Sequence, residues 1–315
     1  MRERVLNVNS KKRILMVHNY YQIGGGEHTV FHNEVKLLRD HGHTVIEYTR
    51  SNDELAKSKL KLLFSPLSTI WSIKTYMDVK KIIKKEKIDV VHCHNTFPLI
   101  SPSVYYAARK CRIPVIQTIH NFRFLCPNAS LYCDGKICEK CLNSKSFKKA
   151  IENKCYREST IQTMIVVAML KIHRLLGTYK KINYIFLTDF NRKKFKNLID
   201  INGDNVFIKP NFVYHNTSFK DEEKSTSSEE NDQKYIFVFA GRLEQNKGIL
   251  SLIDMWKKLP EIFELHIYGE GTYKSKVSEY AKRFRNIKYY GFQEQEIVFR
   301  DSVKSIAVII SSEWY

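Results

Sequence analysis

The 315 residues carry 43% hydrophobic and 12% aromatic side chains, which supports real cores and excludes a disordered chain. At this length about two domains are expected. The longest apolar run, Met164 to Leu170, falls far short of the roughly 20 residues of a spanning helix. No secretory signal opens the chain, so a cytoplasmic location is expected. The formal net charge is +19 and it is one-sided. Residues 1–213 hold 37 basic and 17 acidic side chains, whereas residues 214–315 hold 15 and 16. The first lobe therefore calls for an anionic partner, with nucleic acid, anionic lipid and phosphorylated substrates all open at this point.

Strand and helix signals alternate from Arg13 onward. The apolar run Arg13–Asn19 leads to Gly24-Gly25-Gly26. Val30, Phe31, Val35, Leu37 and Leu38 then take the spacing of a helix face, and Gly42 suits its left-handed end. Strands are expected at Thr44–Tyr48, Ile88–His94, Ile113–His120, Tyr184–Thr188 and Val206–Lys209. Such a series of β-branched strands separated by helices indicates an α/β fold with a parallel, doubly wound sheet. A polar, acidic stretch interrupts it, which divides the chain into residues 1–213, a linker over 214–233 and a second domain over 234–315. The rhythm restarts at Tyr235–Ala240, continues through a helix over Gly248–Leu259, and reaches a last strand at Ser305–Ile310. With four strands and no closing helix, the second domain reads as incomplete.

Two strand-to-helix loops carry chemistry. Gly24-Gly25-Gly26-Glu27 lets backbone amides approach a phosphate or sugar at a helix N-terminus; a tight turn without a ligand explains the same glycines. Gly241-Arg242-Leu243-Glu244-Gln245-Asn246-Lys247-Gly248 adds two cations suited to a diphosphate, Arg242 as a fork and Lys247 as a point charge. His120 ends an apolar strand at the carboxyl edge, where a neutral imidazole can hydrogen-bond a sugar hydroxyl. His92 and His94 end the previous strand and serve structure or function equally well. Cys126, Cys138, Cys141 and Cys155 include a CxxC pair and suit a structural zinc ion; ordinary buried thiols are the other reading. Two further segments face the charge question: the lysines at 80, 81, 84, 85 and 87, and the apolar helix Ile161–Leu176, which is either a core helix or a membrane-surface helix.

Taken in order, the GGGE loop, the IDVVHCHN run, Ile119-His120-Asn121, KPNFV, GRLEQNKG, Tyr268-Gly-Glu-Gly271 and Tyr290-Gly-Phe292 resemble the retaining nucleotide-sugar glycosyltransferases of family 4. The resemblance runs from Ile14 to Tyr315. It implies the GT-B architecture of two Rossmann-like domains, with the acceptor received by the first and the nucleotide sugar held by the second. It further implies that Arg242 and Lys247 bind the donor diphosphate, that Gly25 and Gly26 lie against the transferred sugar or phosphate, and that His120 stands by the reacting sugar. His94 and Asn121 are acceptor-side candidates. No catalytic cofactor is implied. The expected partners are a nucleotide-sugar donor, a saccharide or lipid-linked acceptor and an anionic membrane surface at the inner face, in cell-surface polysaccharide synthesis. The family's spaced glutamates follow a segment like Ser311–Tyr315, so a truncated and inactive remnant is one alternative. A basic nucleic-acid-binding protein is another, although the chain lacks the motifs of such modules.

Overall fold

The computed structural model describes residues 10–22, 25–56, 66–144, 146–212 and 234–314. The acidic stretch 214–233 and Gly24 lie outside the described residues. Contacts divide the chain into two units, Met1–Ala129 with Lys140–Asn216, and Ser130–Glu139 with Thr217–Tyr315.

The first unit is built on strand β1 (Arg13–Tyr20), whose residues from Ile14 to Asn19 are all buried. Burial on both faces is the mark of a central parallel strand covered by helices. The sheet has six parallel strands in the order β2-β1-β3-β4-β7-β8, with β2 at Thr44–Ser51, β3 at Val90–Asn95, β4 at Val115–Ile119, β7 at Asn183–Phe186 and β8 at Val206–Ile208. Helix α1 (Gly26–Asp40) buries Phe31, Glu34 and Val35 against it. Gly42, at φ 78°, takes the left-handed turn just past the helix end. Helix α2 (Ile73–Lys85) opens on Ser72, whose side chain accepts from Thr75 N. Two further helices are α3 (Ser103–Lys110) and α4 (Thr160–Leu175). The chain order reverses direction between β1 and β3, the point where ligands of open parallel sheets bind.

The second unit repeats the plan with four parallel strands in the order β11-β10-β9-β12: β9 at Tyr235–Ala240, β10 at Phe263–Tyr268, β11 at Ile287–Gly291 and β12 at Ala307–Val308. Helices α5 (Ile249–Trp256) and α6 (Lys274–Arg283) cover it, and Leu252, Ile253, Trp256, Leu265 and Ile267 join one core. Its switch point falls between β9 and β12.

Two elements were not expected from the sequence. Tyr132–Cys133 and Lys136–Ile137 form a short antiparallel hairpin, β5–β6, that groups with the second unit. Helix α7 (Gln295–Lys304) precedes β12 and buries no side chain fully; it is tethered through Asp301, which accepts from Tyr268 Oη at 2.7 Å and meets His266 Nδ1 at 2.7 Å.

Candidate active site

In the first unit the carboxyl ends of β1, β3 and β4 gather an imidazole cluster. The β1–β3 register shifts between Val17 and His18, so that Val17 pairs with Cys93 and His18 with Asn95. His94 is the extra residue of this bulge, a distortion common beside functional sites. The bulge is braced by hydrogen bonds on both strands. Asn95 Nδ2 donates to Asn19 O at 2.7 Å, and Gln117 Nε2 donates to His94 O at 2.9 Å.

His94 Nδ1 lies 2.9 Å from His120 Nε2, and the two rings are roughly parallel with centroids 5.1 Å apart. On its other side His94 Nε2 is 2.9 Å from Glu34 Oε2. Lys209, just past β8, donates from Nζ to Glu34 Oε1 at 2.5 Å. His92 Nε2 meets Thr118 Oγ1 at 2.8 Å. His18 is fully buried, stacks on Phe31 at 4.8 Å and has no hydrogen-bond partner for either ring nitrogen among the described residues. Burial, reinforced by neighbouring imidazoles, lowers His120 to about 3, His92 to about 3 and His18 to about 2. These rings are therefore neutral at physiological pH.

Glu34 was not singled out in the sequence, although a carboxylate between Phe31 and Val35 on the inward face of a helix is a legible signal. Burial would raise its carboxyl, but the contacts with His94 and Lys209 outweigh that and hold it well below the carboxylate range. Among the described residues, Glu34, His92 and His94 are the one group whose ligand atoms lie within 4.8 Å of one another. The Lys209 ammonium already neutralises this carboxylate, so a second cation there is disfavoured.

Gly25 caps α1 with extended backbone and Gly26 is its first residue. A Cβ added at either would meet nothing within 4 Å, so the turn is open to an approaching ligand. Asn121 has a turn role: its Oδ1 accepts from Arg123 N at 3.0 Å, and its side chain hydrogen-bonds Glu27. Glu27 is raised by burial to about 8, against the opposing effects of Arg123 and Asn121.

Cys138 sits beside the β5–β6 hairpin, where its amide donates to Leu131 O at 2.7 Å, and Cys126 is buried in the turn that follows β4. Cys141 packs instead against the apolar cluster around Phe147 and Val167. Among the described residues, no three of these cysteines have their sulfurs within 4.8 Å of one another.

In the second unit the loop after β9 lies at the switch point. Gly241 N donates to Tyr268 O and Leu243 N to Glu270 O, at 3.0 and 2.9 Å. Beyond β12, Ser311 Oγ donates to Lys247 O at 2.8 Å and Glu313 N to Asn246 O at 3.0 Å. Glu313 accepts from Ser251 Oγ at 2.7 Å, and Tyr132 of the hairpin donates to its other oxygen at 3.4 Å. Arg242 is exposed, and neither it nor Lys247 has a carboxylate partner among the described residues. Lys247 is half-buried over the Trp314 ring, 5.3 Å from its centroid. Burial first, then the Arg242 charge, lowers its pKa. Two uncompensated cations held by one rigid loop form a site for an anion.

The glycines around this loop are explained by close backbone approach. A Cβ on Gly269, at φ 131°, would fall 1.9 Å from Gly241 O, and one on Gly248 would fall 2.0 Å from Ser311 O. Gly269→Ala is therefore expected to cost the second unit at least about 2–3 kcal/mol. Denaturant unfolding followed through Trp256 checks this; an unchanged midpoint would contradict the packing described.

The fold so defined is the GT-B α/β class. It is shared by a structure of WaaG, a glycosyltransferase involved in lipopolysaccharide biosynthesis, at 17% identity over 90% of this chain and 71% of that one, with a TM-score of 0.53. The Anabaena protein Alr3699/HepE, solved with UDP, is similar at 13% identity over 95% and 74%, with a TM-score of 0.51. The apo form of WaaB, a lipopolysaccharide outer core galactosyltransferase, is similar at 15% identity over 95% and 74%, with a TM-score of 0.50. No curated protein sequence matches significantly. Residues 24–160 match the family model Glycosyltransferase Family 4, and residues 220–313 match Glycosyl transferases group 1. Each domain thus carries the sequence signature of a glycosyltransferase family.

Proposed function

We propose that the chain transfers a sugar from a nucleotide-sugar donor to a saccharide or lipid-linked acceptor, with retention of anomeric configuration, in the synthesis of a cell-surface polysaccharide. The observation that carries this reading is the pair of unpaired cations, Arg242 and Lys247, at the switch point of a glycosyltransferase-family domain. In this reading they bind the donor diphosphate, and the presence of UDP in the Anabaena structure supports such a donor. Gly25 and Gly26 offer an open helix N-terminus to the transferred sugar or to phosphate. His120 presents a neutral imidazole to a sugar hydroxyl. The test supplies labelled nucleotide sugars with a membrane lipid extract and follows label entering lipid or saccharide. Transfer is expected, and His120→Ala should slow it by about 10²–10³. Failure of every donor to pass label would overturn the assignment.

An anionic membrane is the partner that best suits the first unit. Leu67, Ile73 and Met77 are each more than 60% exposed, and Leu175 is 87% exposed. His173 Nε2 meets Ile70 O at 2.9 Å, and Trp71 packs on Tyr106 with centroids 4.8 Å apart. The segment before α2 thus packs against both α4 and α3. Lys80 and Lys84 of the same α2, with Lys87 just past its end, line a groove with Lys110, which suits lipid headgroups at about 1 kcal/mol per basic residue. No helix among the described residues is long and apolar enough to cross a membrane, so the contact would be peripheral, at the cytoplasmic face. The chain should sediment with anionic vesicles and not with neutral ones, and added salt should weaken the association. Equal recovery with both, or with neither, would assign the charge to another partner.

A further inference from the structure

The cluster around His94 has a direction that follows from which atoms can donate. Lys209 can only donate, so Glu34 Oε1 accepts from it across 2.5 Å. Glu34 Oε2 is likewise an acceptor, and it stands 2.9 Å from His94 Nε2 as a close charge contact outside linear hydrogen-bond geometry, with no other hydrogen-bond partner for either atom among the described residues. A lone pair on that nitrogen would oppose the carboxylate charge at contact distance, so a His94 ring with a single proton holds it on Nε2. In that singly protonated ring Nδ1 is a lone pair, and across the 2.9 Å contact His120 Nε2–H donates to it. That leaves the Nδ1 of His120 as a lone pair. Among the described residues this atom has no hydrogen-bond partner, and it is not among the buried unpartnered atoms. Each ring's proton position is set by the bond at its other nitrogen.

We infer that Glu34, oriented by Lys209, is a positioning residue that fixes the tautomer of His120 through His94, so that His120 receives a hydroxyl group at Nδ1 and disfavours an anionic oxygen there. The inference rests on the reading that His120 meets the reacting sugar, and it narrows that role: the group at His120 is a sugar hydroxyl donating its proton, while phosphate oxygens belong elsewhere. Neutrality of His120, lowered by burial to about 3, agrees with this assignment.

Glu34→Gln reverses the relay with almost no change in shape. Lys209 keeps the amide oxygen on its own side, which turns the amide NH₂ toward His94 Nε2. That nitrogen becomes an acceptor, Nδ1–H of His94 donates to His120 Nε2, and the proton of His120 moves to Nδ1. The experiment is a long-range ¹H–¹⁵N correlation of histidine-labelled full chain at about pH 8, where an ordinary imidazole carries one proton. Signals are assigned with His94→Gln and His120→Gln. Wild type is expected to show Nε2–H on both His94 and His120, Glu34→Gln to show Nδ1–H on both, and Glu34→Asp to retain the wild-type pattern. Nδ1–H on His120 in the wild type, or a folded Glu34→Gln chain with unchanged tautomers, would overturn the inference. Should Glu34→Gln not fold, the wild-type spectrum decides alone. Because this readout needs no substrate, its failure is distinct from a failure of the transferase reading. Where transfer is measurable, Glu34→Gln should lower kcat with Glu34→Asp restoring part of it.

Discussion

The first unit should be most stable near pH 6.5–7 and lose stability on both sides, more steeply toward acid. His18, His92 and His120 have folded-state pKa values of about 2, 3 and 3, against about 6.5 in an unfolded chain. Below pH 6.5 the unfolded chain takes up three protons that the folded unit refuses, so stability rises with pH through this window. Glu27 has the opposite sign. Burial raises it to about 8, so between about 4.5 and 8 the folded unit holds a proton that the unfolded chain releases. Between pH 4.5 and 6.5 the difference is two protons, or about 2.7 kcal/mol per pH unit. Between 6.5 and 8 Glu27 acts alone and stability falls with rising pH by about 1.4 kcal/mol per unit. The depressed Glu34 adds acid sensitivity below about 4.5, because its carboxylate stabilises the fold only while it is ionised. Against a typical total of about 5–15 kcal/mol, the unit should open near pH 4.5–5. Hydrogen exchange of β1, β3 and β4 amides in the whole chain isolates this unit from the second. Glu27→Gln should abolish the alkaline decline and leave the acid limb. Protection that stays flat from pH 5 to 6.5 would show that the imidazoles are not held neutral.

Arg242→Ala and Lys247→Ala should each weaken nucleotide-sugar binding by about 10–150-fold, the equivalent of about 1.5–3 kcal/mol for a hydrogen bond to a charged group. The two differ in their side effects. Arg242 is exposed, so its loss should leave the melting temperature unchanged. Lys247 lies over Trp314 and its loss should alter tryptophan fluorescence as well. Lys247 is half-buried beside Arg242, and the two like charges disfavour one another, which suits a site that an anion completes. Titration of both variants with UDP checks the result; unchanged affinity in each would remove the diphosphate from this loop.

The alternation of strands and helices was legible in the sequence because buried parallel strands are near-continuous apolar runs. β1 and β10 are of that kind. The exceptions have physical reasons. β3, expected over Ile88–His94, was found despite its polar end, where His92 and Asn95 are matched by Thr118 and Asn19 across the sheet; the matching itself is invisible in a linear pattern. Helix α7 buries nothing fully and hangs on Asp301, so it has no strong apolar stripe to find. His120 and the GRLEQNKG loop stood out as candidates because strand ends and strand-to-helix loops are where parallel sheets bind ligands. Glu34 and Lys209 were missed as partners, since they stand 175 residues apart and meet only through the fold.

Calorimetric titration of the wild-type chain with UDP and with a panel of nucleotide sugars tests the central claim most directly. The account predicts saturable binding at one site per chain, competed by the free nucleoside diphosphate, weakened by salt and lost in the Arg242→Ala, Lys247→Ala double variant. A folded wild-type chain that binds no nucleotide sugar, or that binds one equally well after both cations are removed, would contradict it.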